Sequence, residues 1–177
     1  MSSITEETLE NKVANAIAKN PGQMTPVLAK QFGVTEAEVI RAHPAELSTE
    51  LDSARIEEII QSLDQLGLVH VICSNGVTVL EAYGHFGGFS KSGPFLNVQT
   101  KDLDMHIRHG EIKAAFALIK PSHADGQKTY SIQFYQENGT SAFKVFLYKS
   151  MAELGKEELE KKISAWEEMK AKFTLGA

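Results

Sequence analysis

The residues best suited to chemistry lie in one short alternating run, Leu103-Asp104-Met105-His106-Ile107-Arg108. Successive side chains of a strand point to opposite faces, so Asp104, His106 and Arg108 share one face and Leu103, Met105 and Ile107 the other. An imidazole beside a guanidinium suits an anionic, metal-containing ligand. The ring can give a lone pair to the metal while the guanidinium pairs with a carboxylate. A solvated sheet face is the plainer reading of one histidine in such a place. His106 and His109 have the spacing of helical metal ligands, but on a strand that spacing sends them to opposite faces and argues against joint chelation. Upstream, Tyr83-Gly84-His85-Phe86-Gly87-Gly88-Phe89-Ser90-Lys91-Ser92-Gly93 sets four glycines among aromatic residues. It reads as a mobile loop able to lay rings on a flat ligand, or as a long connection with its aromatics on a sheet edge. Phosphate chemistry does not fit, because neither GxxxxGK[ST] nor GxGxxG is present and no helix follows.

Nucleophilic chemistry finds little support. The single cysteine, Cys73, has apolar neighbours and reads as an inert core thiol, and there is no GxSxG elbow or HExxH helix. The acid pairs Glu157-Glu158 and Glu167-Glu168 read as the solvated side of a terminal helix.

The elements that must position these residues follow from periodicity. Leu9, Val13 and Ile17 predict a first helix, stopped by Asn20-Pro21-Gly22. Thr25-Pro26 reads as cap and first turn of a second helix, and Thr35-Glu36-Ala37-Glu38 as a capping box opening a third. Ile56, Ile59, Ile60, Leu63 and Leu66 form the stripe of a fourth helix that ends at Gly67. The period then changes from 3.6 to 2. Strands are expected at 68–73, 77–81, 103–108, 112–120, 130–136 and 142–148, with Asn75-Gly76 and Asn138-Gly139 as hairpin turns whose residues take positive φ. A last helix from about Ala152 is apolar at Leu159, Ile163, Trp166, Met169 and Phe173.

The class is therefore α+β: an N-terminal helical segment (1–66), then an antiparallel sheet or partial barrel of six or more strands closed by an amphipathic helix (67–177). The net charge of −5 is uneven, with −6 over residues 1–65 and +1 over the rest. The second part thus better suits an anionic ligand, and the first is a poor match for nucleic acid. No apolar run approaches the ~20 residues of a membrane span, and the acidic N-terminus lacks signal-peptide features. A cytoplasmic protein without stable membrane association is expected.

The segment 28–41 has the form of a helix-turn-helix, with Gly33 in the turn. A base-reading helix offers Arg, Lys, Asn or Gln from its first turns, whereas this one offers Glu36 and Glu38. A structural helical pair is the better expectation, and a DNA-binding regulator an alternative.

Taken in order, these segments resemble the ChuX/HutX family of intracellular heme-utilisation proteins. The resemblance is carried by the helical opening ending at Pro44, by Val79-Leu80-Glu81, and by Gly93-Pro94-Phe95-Leu96-Asn97-Val98. It continues through Met105-His106-Ile107-Arg108, Ala117-Leu118-Ile119 and Ser141-Ala142-Phe143-Lys144-Val145-Phe146-Leu147. It implies a cytosolic carrier with heme as bound cargo, built like half of the larger HemS/ChuS proteins. It also implies a homodimer paired through its sheets, with a downstream heme-degrading partner. His106 falls at the family's histidine in a G-H-[IL]-K string, here with Met105 and Arg108, and is the implied heme-iron ligand. Pro94 and Phe95 stand where some members have the tyrosine of G-Y-[FY]-N-L, so no phenolate comes from there. Tyr83 or His85 could substitute. Phe86 and Phe89 would supply apolar surface, and Arg108 with Lys91 would meet propionates. Heme breakdown is the alternative activity.

Overall fold

The computed structural model describes residues 7–176. The chain opens with α1 (Leu9–Lys19), capped by the Thr8 hydroxyl, then α2 (Thr25–Phe32) and α3 (Glu36–Arg41). Thr25 is not the cap expected of it. Met24 takes that position, and the buried Thr25 hydroxyl donates to Glu36 at 2.5 Å. The capping box at Thr35 and Glu38 is present in both directions, and the Thr35 N–H holds the Glu38 carboxyl below its ordinary pKa.

A strand not anticipated from the sequence, β1 (Ser48–Leu51), comes next. Its four residues are too few for alternation to stand out. Then α4 (Ile56–Ser62) continues as a tighter turn over Leu63–Leu66 and buries its whole apolar stripe. The strands that follow are β2 (Leu68–Ser74), β3 (Val79–His85), β4 (Ser90–Ser92), β5 (Phe95–Gln99), β6 (Asp104–Ile107), β7 (Ile112–Pro121), β8 (Lys128–Gln136) and β9 (Ser141–Phe146). The closing helix is α5 (Lys156–Phe173). The β2–β3 turn differs from the expected tight hairpin. Only Gly76 takes positive φ (+86°), and the Asn75 side-chain oxygen accepts the N–H groups of Val77 and Thr78 instead.

All strand pairs are antiparallel, as expected of the α+β reading. They form a six-stranded sheet in the order β1-β7-β8-β9-β2-β3 and a separate three-stranded sheet, β4-β5-β6, with no closed barrel. One face of the large sheet (Val69, Val71, Ala115, Ala117, Ile132, Phe134, Phe143, Val145) joins α4, α5 and the apolar side of the small sheet in the main core. Cys73 packs half-buried against that core, where burial pushes its thiol pKa up. The other face carries Phe116, Leu118 and Tyr135, which Ala37 and Ile40 of α3 cover. That cover reaches β9, where Lys144 pairs with Glu36 of α3. Across β9, β2 and β3 the same face carries half-buried Phe146, buried His70 and exposed Tyr83, whose ring has Lys149 Nζ 5.5 Å from its centre.

Two side chains of α5 hold the layers together through three hydrogen bonds. Buried Lys162 of α5 donates to the carbonyls of Leu66 (2.6 Å) and Leu68 (2.5 Å), on either side of the Gly67 turn. Trp166 Nε1 donates to Ser131 O at 3.1 Å.

The Gly-rich stretch is shorter than either expected reading, a mobile loop or a long connection. β3 runs through His85 and β4 begins at Ser90, leaving four residues between them, 86–89. This bend lies against β5, where Gln99 N donates to Gly87 O. Gly88 has φ +64°, and a Cβ there would lie 2.1 Å from Gln99 O. Gly76 has φ +86° in open space. Gly76→Ala should cost about 1 kcal/mol, the penalty for left-handed backbone. Gly88→Ala adds a collision with backbone and should cost clearly more, measured by denaturant unfolding.

Lys120 at the end of β7 donates to Gly22 O (3.0 Å), tying the helical segment to the sheet. Burial, with Lys144 nearby, lowers its pKa to about 8. The unfolded chain keeps this proton up to about 10.5. From pH 8 to that value the unfolded state binds more protons, so stability rises with pH. Tyr83 and Tyr148, both raised to about 12, oppose the trend above about pH 10. Burial also lowers the Lys162 pKa, which adds to the rise, and raises that of Cys73, which opposes it. Lys120→Met should therefore reduce, not abolish, the rise in melting temperature between about pH 8 and 10.

Candidate functional site

The small sheet is built by alternation. Leu96, Val98 and Ile107 are buried in the main core with Met105 packed beside them. The other side chains of the sheet therefore face outward: Ser90 and Ser92 on β4, Phe95, Asn97 and Gln99 on β5, Asp104 and His106 on β6. Ser90, Asn97 and His106 are direct register neighbours across the three strands. They are joined by hydrogen bonds: Ser90 donates to Gln99 Oε1 (3.2 Å), Asn97 Nδ2 donates to Ser90 Oγ (3.1 Å), and His106 Nδ1 lies 2.7 Å from Asn97 Oδ1. Asn97 is buried, while the His106 side chain keeps 57% of its surface exposed. Phe95 meets the His106 ring edge-on, centroids 6.2 Å apart, and the Arg108 guanidinium sits 5.3 Å over the Phe95 ring. Arg108 lies one residue past the strand and is exposed.

This arrangement brings an imidazole, an aromatic ring and a cation together on an open face. With Nδ1 engaged, Nε2 is the nitrogen free for a metal; its nearest charged neighbour, Asp104 Oδ1, is 3.6 Å away and beyond hydrogen-bond range. The Arg108 guanidinium can pair with a carboxylate at the rim.

The remaining predicted residues lie elsewhere. Tyr83 is on β3, stacked on His70 (4.9 Å, 9° between planes) with Lys149 Nζ 5.5 Å from its ring centre. Burial first, then Glu153 and Glu81, push its pKa up to about 12, which disfavours a phenolate. His85 ends β3 with Nε2 2.9 Å from Asp64 Oδ1. Lys91 points to the side opposite His106 and pairs with Glu57 at 2.7 Å. Phe89 is half-buried against the main core, and Phe86 is fully buried and stacked on Phe143. Among the described residues no hydrogen bond, ion pair or ring contact joins Tyr83, His85, Phe89 or Lys91 to His106. Asn97 and Phe95 were not singled out as site residues from the sequence. The signal was available: with Leu96 and Val98 turned inward, strand alternation puts both on the His106 side.

The helix-turn-helix-like pair offers no reading helix. Ala37, Val39 and Ile40 are buried, Glu36 is engaged by Lys144, and Arg41 is bound by Glu50 at 2.6 Å and lies over Phe116. Among the described residues no helix is long and apolar enough to cross a membrane.

Comparison with known proteins adds a family. The model described as "Haemin-degrading HemS.ChuX domain" matches residues 33–173. The intracellular heme transport protein HutX of Vibrio cholerae is 25% identical over 145 residues, which cover 81% of this chain and 74% of HutX. The hemin transport protein HmuS of Yersinia pestis is 24% identical over 95% of this chain, but the match covers only 45% of HmuS. The chain thus spans about half of that longer relative. In structure, a protein from Erwinia carotovora superposes with a TM-score of 0.81 at 20% identity, covering 95% of this chain and 99% of that one. The crystal structure of ChuX gives 0.79 at 20% identity, covering 94% and 98%. With the fold and most of the sequence matched, the chain belongs to the HemS/ChuX domain family.

Proposed function

We propose that this protein binds heme as cargo inside the cell and carries it, with His106 as the iron ligand and Arg108 meeting a propionate. The observation that carries the reading is the outward face of the small sheet. There His106 has Nδ1 held by Asn97 and Nε2 without a hydrogen bond, beside Phe95 and Arg108. Heme is an apolar plate with a Lewis-acidic iron and two carboxylates, and these groups answer each of its parts. Family membership supports the same cargo, as do the names of HutX and of the holo-PhuS heme-binding protein of Pseudomonas aeruginosa, whose fold this chain shares with a TM-score of 0.76. An open face rather than a closed cavity suits a protein that must release what it binds.

A homodimer belongs to this reading, because HmuS is about twice the length that the chain matches and a second copy would supply the other half. The outer surface of β2 and β3, with Leu68, Val79 and Tyr83 exposed, is the area available for pairing. Release to a downstream heme-degrading protein, and residence in the cytoplasm, complete the proposal. Heme breakdown is the second reading, favoured by the resemblance to ChuS, a structure described as an E. coli heme oxygenase (TM-score 0.68).

Titration with hemin should give a saturable Soret shift in the wild type. His106→Ala should weaken binding by more than the ~10–100-fold that loss of an outer partner costs, with a changed spectrum. An unchanged mutant spectrum and affinity would remove His106 as ligand. Arg108→Ala should cost about five-fold at most, since exposed ion pairs are worth ~0.2–1 kcal/mol. With reductant and oxygen added, a carrier keeps its Soret band; loss of the band with iron release would decide for breakdown.

A further inference from the structure

We propose that Asn97 is a positioning residue that fixes His106 as its Nδ1–H tautomer and so turns the Nε2 lone pair to the open face. Its consequence for heme release rests on the reading of His106 as iron ligand; the tautomer does not.

The hydrogen-bond directions run in one sense across the small sheet. The Ser90 hydroxyl spends its proton on Gln99 Oε1, 3.2 Å away, leaving only lone pairs toward Asn97. Asn97 answers with Nδ2, 3.1 Å from Ser90 Oγ. Its carbonyl oxygen is then the atom facing His106, 2.7 Å from Nδ1. An amide oxygen only accepts, so Nδ1 carries the hydrogen, and the neutral ring has no other. Asp104 pulls the opposite way, since its carboxylate would favour a hydrogen on Nε2. Its Oδ1 is 3.6 Å from Nε2 and its side chain is 68% exposed. Asn97 is 6% exposed and 0.9 Å closer to its own ring nitrogen, so the short, shielded bond outweighs the screened one.

Three other histidines are arranged differently, whereas His43 also has Nδ1 on a neutral oxygen, Val39 O at 2.8 Å, but is buried at 6% exposure rather than set on an open face. His70, His85 and His109 have Nε2 at 3.0, 2.9 and 3.4 Å from Glu81, Asp64 and Glu57. At His106 the close partner is a neutral amide, and it sits on the inner nitrogen. A carboxylate in that place would raise the basicity of the ring and strengthen a bond from Nε2 to a metal. An amide orients the ring without that increase. Asn97 therefore sets how readily the ligand lets go as well as where it points.

The test combines a readout that needs no heme with one that does. Long-range proton–nitrogen correlations on 15N-labelled apo-protein at mildly alkaline pH report which His106 nitrogen bears hydrogen. Wild type and Asn97→Asp should show Nδ1–H, and Asn97→Leu should move the population toward Nε2–H. The isosteric Asp variant guards against a simple failure of the Leu variant to fold. Loaded with hemin and mixed with excess apomyoglobin, Asn97→Leu should lose heme about ten-fold faster or more, and Asn97→Asp more slowly than wild type. A wild-type ring found as Nε2–H, or a tautomer unchanged in a folded Asn97→Leu, overturns the proposal. Should the tautomer respond as expected while no form of the protein binds heme, the assignment of Asn97 stands and the heme reading falls.

Discussion

The candidate face exists because Leu96, Val98 and Ile107 are buried. Side chains of a strand alternate with a strict period of two, so sending these three into the core leaves Phe95, Asn97 and His106 no direction but outward. A slip of one residue in the β5–β6 register would put His106 in the core and Ile107 in water. The tight bend at Gly87 and Gly88 guards that register from the other side, because Gln99 N is bonded to Gly87 O and no side chain fits between them. The polar row across β4, β5 and β6 is a consequence of this apolar arrangement, and the exposed imidazole is its last member.

The large sheet is managed asymmetrically. Over β1, β7 and β8 the outer face is covered by α3, and a chain of buried polar groups runs beneath it. Tyr135 donates to Gln133 and Gln133 to Ser131, so burial leaves these groups paired. Glu36, in the first turn of α3, takes hydrogen bonds from both Thr25 and Lys144, binding the two helices to β9. Glu36, which a helix-turn-helix would turn outward, is thus spent on docking the helix, while exposed Glu38 closes the capping box.

Much of this was legible in the sequence, and the reasons differ by element. The α4 stripe and the Thr35 capping box depend on local spacing, which the chain displays directly. The face shared by Asp104 and His106 follows from strand period alone. β1 escaped notice because its four residues are held by pairing with β7 nearly seventy residues later, a non-local cause. The glycines of 83–93 misled for a related reason. Composition suggested freedom, but Gly84, Gly87 and Gly88 are small because neighbouring atoms crowd them. Gathering Tyr83, His85 and Lys91 with His106 required knowing their partners, and Glu57 and Asp64 come from α4 and the turn that follows it. Asn97 could have been found by carrying the alternation one strand further.

Cys73 gives the fold a further property. Thiolates, not thiols, react with peroxides and exchange disulfides, so a thiol kept protonated by burial is a slow reductant. The chain has no second cysteine with which to close an internal bridge. Half-buried against the main core, the lone sulfur is a slow target for oxidants and a poor starting point for cross-links between copies.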